Sequence, residues 1–68
     1  MIALPENVTL VHSSDSVVLP DGGILAPAPY DALVISDGVW SHAVTVVPDD
    51  DLARQEALDF LLRVEAER

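Results

Sequence analysis

His12-Ser13-Ser14-Asp15 sets each residue type of a Ser-His-Asp hydrolase in four consecutive positions. That chemistry needs three side chains brought to one point from separate elements, so that the hydroxyl can pass its proton to the imidazole while the carboxylate holds the imidazole's far side. Neighbours in a turn do not converge in this way, and Ser and Asp are residues that turns use for their own backbone bonds. Ser41-His42 fails for a related reason, because successive side chains of a strand point to opposite faces.

Metal and phosphate chemistry fare no better. An EF-type calcium loop starting at Asp49, in the run Asp49-Asp50-Asp51, needs Gly at its sixth position and Glu at its twelfth, where the chain has Arg54 and Phe60. The two histidines, His12 and His42, lie thirty residues apart and there is no Cys. One such pair meeting across a sheet is not a metal site, and His42 on an apolar face reads as a hydrogen-bonded core histidine, sensitive to pH if buried. Gly22-Gly23 precedes a strand rather than a helix, and three aspartates at a helix N-terminus repel phosphate. The expectation is a chain with no catalytic residue, no cofactor and no metal, and not an enzyme.

What must be positioned is therefore a small core. The chain has 68 residues, half of them hydrophobic, with twelve acids against three Arg and no Lys, a formal net charge of -9 and a mean hydropathy of +0.34. A domain of this size buries only about 60% of the surface its unfolded chain exposes. With no disulfide or thiolate metal site to help, oligomerisation or a larger partner is the remaining common remedy. The apolar content argues against disorder. The acidity, with no basic cluster to offset it, argues against direct contact with nucleic acid or a membrane surface. The opening residues lack a basic segment and Pro5 and Glu6 break their apolar run, unlike a signal peptide, and no run has the length of a membrane span. A soluble, cytoplasmic product of bacterial or phage type, or one incorporated in a virion, is expected.

The pattern along the chain predicts an α+β fold: a small antiparallel sheet of about four strands, in two hairpins, packed by a single C-terminal α-helix. Strands are expected at about 7–12, 16–19, 23–26, 32–36 and 39–47, and the helix at about 49–66, in one domain covering 1–68. Pro20-Asp21-Gly22-Gly23 marks the first hairpin. Asp37-Gly38 suits a two-residue turn with φ above zero at both positions. That turn would set Ser36 opposite Val39, Ile35 opposite Trp40, Leu33 opposite His42 and Asp31 opposite Val44. Leu33, Ile35, Trp40, His42, Val44 and Val46 would then face the core, and the smaller, more polar set with Ala32, Val34 and Ala43 would face away. Asp49 or Asp50 caps the helix, and Asp50-Arg54 and Asp59-Arg63 are i,i+4 pairs with the acid first.

One feature exceeds what such a fold needs. Ala53, Ala57, Phe60, Leu61 and Val64 form a helical stripe sufficient to cover the sheet, yet Leu58 and Leu62 widen the apolar arc to about 200°, twice what a surface helix uses. Either the sheet curls to bury both flanks, or the helix meets a second surface. Trp40 is open to two readings as well, a cap on the core or an exposed anchor. If there is a contact, its residues are Leu58, Leu62, Leu52 and Trp40. These features point to a non-enzymatic structural or interaction protein that assembles through its C-terminal helix, as a homo-oligomer or as an accessory subunit of a larger bacterial or phage assembly. The alternative is an acidic decoy, of the DNA-mimic or anti-defence type, that blocks a basic protein surface.

Overall fold

The computed structural model describes residues 3–20 and 22–68. Met1, Ile2 and Asp21, the last belonging to the expected first turn, lie outside it. The elements follow in the order β1 (Val8–Val11), β2 (Val17–Val18), β3 (Ile24–Leu25), β4 (Asp31–Ser36), β5 (Ser41–Val46) and α1 (Asp51–Ala66). The α+β architecture expected from the sequence is present, with five strands divided between two antiparallel sheets: β1-β4-β5, with β4 central, and the short hairpin β2-β3.

The helix covers one face of the three-stranded sheet. Val8, Leu33, Ile35 and Val46 meet Ala57, Leu58 and Leu61 there, with Leu4, Leu10, Trp40, Val44 and Ala53 packed around them. The opposite face was expected to be the open one. It is buried instead, because β2-β3 folds beneath it: Val11, Ala32 and Val34 form a second cluster against Val17, Leu19, Leu25 and Ala43. Burial from both sides explains why β4 is apolar at nearly every position, as a central strand covered on both faces should be.

The β4-β5 reversal comes one residue later than Asp37-Gly38 alone would put it. Only Gly38 takes a positive φ, +92°, while Asp37 does not. Asp37 instead stays on the strand side of the turn, donates its N–H to the Trp40 carbonyl at 3.1 Å, and accepts the Val39 and Trp40 N–H groups on its carboxylate at 3.0 and 2.8 Å. Gly38-Val39 thus becomes the central pair of the turn. The register moves by two, giving Ser36↔Ser41, Ile35↔His42, Leu33↔Val44 and Asp31↔Val46. A shift of two leaves every side chain on its expected face, where a shift of one would have inverted them all.

The helix starts at Asp51, two residues later than expected, since Asp49 sits in the left-handed region at φ 61°. Asp50 is the cap, accepting the Ala53 N–H at 2.9 Å. That bond uses the Asp50 carboxylate locally, and the expected Asp50-Arg54 pair does not form. Arg54 turns inward instead, with its Nη2 3.3 Å from Asp31 Oδ2, 3.9 Å from Asp49 and its Nη1 3.5 Å from Asp51. Asp59 takes its hydrogen bond from Gln55 at 3.1 Å rather than pairing with Arg63.

Asp31 opens β4 and is buried beneath the helix; its other oxygen accepts the Ser13 N–H at 2.8 Å. One carboxylate therefore ties the β1-β2 loop, the central strand and the first turn of the helix. The Arg54 Nε is buried without a hydrogen-bond partner, so the pair is held tightly but is not fully satisfied. Breaking it is expected to be expensive, because removing one partner strands the other's charge. Asp31→Ala should lower unfolding stability by about 3 kcal/mol in urea titrations, at the low end for a buried pair since Asp49 and Asp51 still face the guanidinium. Replacing both residues together, Asp31→Leu with Arg54→Met, should cost clearly less than the single change. Equal losses from the single and double variants would show that the pair does not carry this weight.

Candidate interaction surface

Which way the helix faces decides what remains on the outside. With Arg54 drawn under the helix, the buried stripe is Arg54, Ala57, Leu58 and Leu61. This is turned by roughly 65° from the stripe read off the sequence, on a wheel of about 100° per residue. Leu58, expected at an interface, is thereby only 6% exposed and belongs to the protomer's own core. Phe60, expected in the core, is rolled out to 46% exposure. Leu62, on the flank nearer β1, remains 37% exposed, and Leu52 stands out at 70%.

Phe60 emerges over β5. Its ring lies 6.0 Å from that of His42, which in turn stacks on Trp40 at 6.3 Å and 11° between planes. His42, expected inside, is exposed because β5 is the outer strand and its helix-facing side chains lie at the border of the core. Trp40 is half-buried: one side packs on the core cluster and the Arg68 guanidinium lies 4.0 Å above its ring, a cation-π contact. Trp40, His42 and Phe60 make an aromatic ledge along the β5 side of the molecule. His12 follows β1, at the opposite edge of the sheet, so the two histidines do not meet.

Arg68 also binds Asp37, at 2.7 Å. Since Arg54 holds Asp31 at the start of β4 and Arg68 holds Asp37 just past its end, the helix runs in the same sense as β4 and is fastened at both ends. No local sequence signal links Asp37 to Arg68, which lies 31 positions away.

The backbone of β5 is the other component of this surface. Ser36 donates to the Asn7 carbonyl and Asp37 to that of Trp40. In an antiparallel ladder hydrogen-bonded pairs alternate, so Ile35↔His42, Leu33↔Val44 and Asp31↔Val46 are the bonded pairs of β4-β5. The N–H and C=O groups of Ser41, Ala43 and Thr45 consequently point away from the sheet. Edge strands are usually blunted by charge, proline or a bulge. Ser41–Val46 contains no charge and no proline, and Pro48 stands beyond its end. At the other edge the Val8 N–H donates to the Pro5 carbonyl in the turn that leads into β1.

A concavity of about 290 Å³ lies between β1, β4 and the hairpin, lined by Thr9, Val11, Val17, Leu19, Val34 and Ser36 among others, with no titratable group. Among the described residues no three His, Cys, Asp or Glu side chains group to hold a metal ion, and no helix is long and apolar enough to cross a membrane.

Asp37 supplies a pH-dependent contact. The hydrogen bond from Arg68, followed by those from the Trp40 and Val39 N–H groups, holds its carboxyl well below the usual carboxylate range. A depressed folded pKa contributes stability that is fully present above the unfolded value of about 4 and is lost as the pH falls below it. Arg68→Ala should therefore raise the Asp37 titration midpoint toward the ordinary range, read by carboxyl carbon NMR, with the backbone bonds retaining part of the depression. An unchanged midpoint would mean that the Arg68 contact does not persist in solution.

Comparison of the chain with known protein families, with curated proteins and with solved structures found no match.

Proposed function

We propose that this is a non-enzymatic assembly protein, which joins protein surfaces through its C-terminal helix, first of all to a second copy of itself, and in that form serves as a structural or accessory subunit of a larger assembly. The observation that carries this reading is the outward placement of Leu52 and Phe60 on a single 16-residue helix. Aromatic and aliphatic side chains gain about 1.5 to 3 kcal/mol each on full burial. A fold of this size has a margin of only a few kcal/mol, so side chains of this kind left in water forfeit stabilisation that a neighbour would restore.

Burial of Leu58 narrows the surface from the one read in the sequence: it consists of Phe60 and the aromatic ledge with Trp40, with Leu52 on the side of the helix away from the sheet and Leu62 on the other flank. The distribution of acid favours assembly over a decoy of nucleic acid. Asp31, Asp37 and Asp50 are each committed to an arginine or to backbone N–H groups of their own chain, which withdraws these three from any array of free carboxylates that a phosphate mimic would need.

Sedimentation equilibrium at physiological ionic strength tests the reading. The wild-type chain should show reversible self-association in the micromolar range. A single 7.3 kDa species persisting to high-micromolar concentration would overturn it.

A further inference from the structure

We infer that the second copy docks edge to edge on β5, across a twofold axis normal to the sheet that passes beside Ala43, so that β1-β4-β5 continues into the partner's β5, β4 and β1. The inference rests on the assembly reading and says which surface performs it.

The outward-pointing backbone groups of Ser41, Ala43 and Thr45 are symmetric about Ala43. Two β5 strands paired antiparallel there set Ala43 opposite its own copy and Ser41 opposite Thr45, exchanging about six N–H to C=O bonds. Nothing in β5 obstructs this, since the strand has neither charge nor proline.

The helices support the same axis independently. The helix lies over β4 and β5, about half a strand spacing inside β5. Strands are about 4.8 Å apart, and the axis falls half a spacing beyond β5, so two symmetry-related helices would run antiparallel about 10 Å apart, a normal packing distance. Phe60 touches His42, next to Ala43 in the strand, and therefore lies close to that axis and meets its own copy.

Charge agrees with this placement. Glu56 and Arg63, four residues before and three after Phe60, lie on the same flank of the helix, both exposed. Neither makes an ion pair among the described residues. An antiparallel pair centred on Phe60 sets Arg63 of each copy against Glu56 of the other, giving two reciprocal ion pairs across the twofold axis. The net charge of -9 opposes association at long range, but salt screens this beyond about 8 Å at physiological ionic strength.

Sedimentation equilibrium of four variants, each first checked for native circular dichroism, tests the inference. Phe60→Asp should weaken dimerisation at least about tenfold, as loss of a central aromatic anchor does. Ala43→Pro removes an N–H that the protomer does not use, at an edge position where proline is tolerated, and should weaken it comparably. Glu56→Arg should weaken it, and the double exchange Glu56→Arg with Arg63→Glu should restore it to within a few-fold of wild type. Val18→Lys, on the far hairpin, should change nothing. If the wild-type chain self-associates but Phe60→Asp and the charge exchange leave the equilibrium unmoved, the β5 interface is wrong while the assembly reading stands. If the wild-type chain remains monomeric, both fall.

Discussion

The Asp31-Arg54 pair fixes the rotation of the helix, and most of what distinguishes this molecule follows from that angle. An arginine on the first full turn of a helix would ordinarily extend along the surface toward its i-4 acid. Here it enters the core because a buried carboxylate waits at the start of the central strand. Two opposite charges taken out of water are stable together only in close contact, so the helix has little freedom to roll. With Arg54 inside, Leu58 follows it in and Phe60 is carried out over β5. Arg68 fastens the other end by holding Asp37 and covering Trp40. Arg68 thus does for the far end of β4 what Arg54 does for the near end.

The sheet gains its stability from being covered on both sides. A strand as short as β4 supplies few side chains, and using those of both faces roughly doubles the apolar surface that each ordered residue contributes. The hairpin β2-β3 supplies the second cover with two residues per strand, and it can be this small because Val17, Leu19 and Leu25 need only meet Val11, Ala32 and Val34. What this arrangement does not cover is the lateral edge. Layers above and below protect the faces of a sheet, whereas the backbone groups at its margin are satisfied by water or by another strand.

Acidity, too, has a partly architectural origin. Asp31 joins three segments, Asp37 closes the β4-β5 turn, and Asp50 caps the helix. Each role demands a short side chain with carboxylate oxygens near backbone N–H groups, which is why Asp outnumbers Glu in the turns. The charge of the chain reflects, in part, how many turns and helix ends a 68-residue fold must close.

The sequence by itself determined the class, the order of elements and the face on which each strand residue lies. Alternation, Gly in turns, Pro at strand ends and an Asp cap are local physics, legible residue by residue. The core set Leu33, Ile35, Val44 and Val46 was readable even with the wrong register, because alternation repeats every two residues and the error was two. Tertiary structure decided what depends on residues distant in the chain. Arg54 meets Asp31 and Arg68 meets Asp37 only once the helix has docked, and no spacing rule anticipates either. The orientation of the helix, and with it the exchange of Leu58 for Phe60 at the surface, is set by that docking, since a wheel with a wide apolar arc permits several rotations of similar hydrophobic content. The position of β5 at the margin was hidden for the same reason: a strand's pattern records which of its faces are buried, but not whether another strand lies beside it.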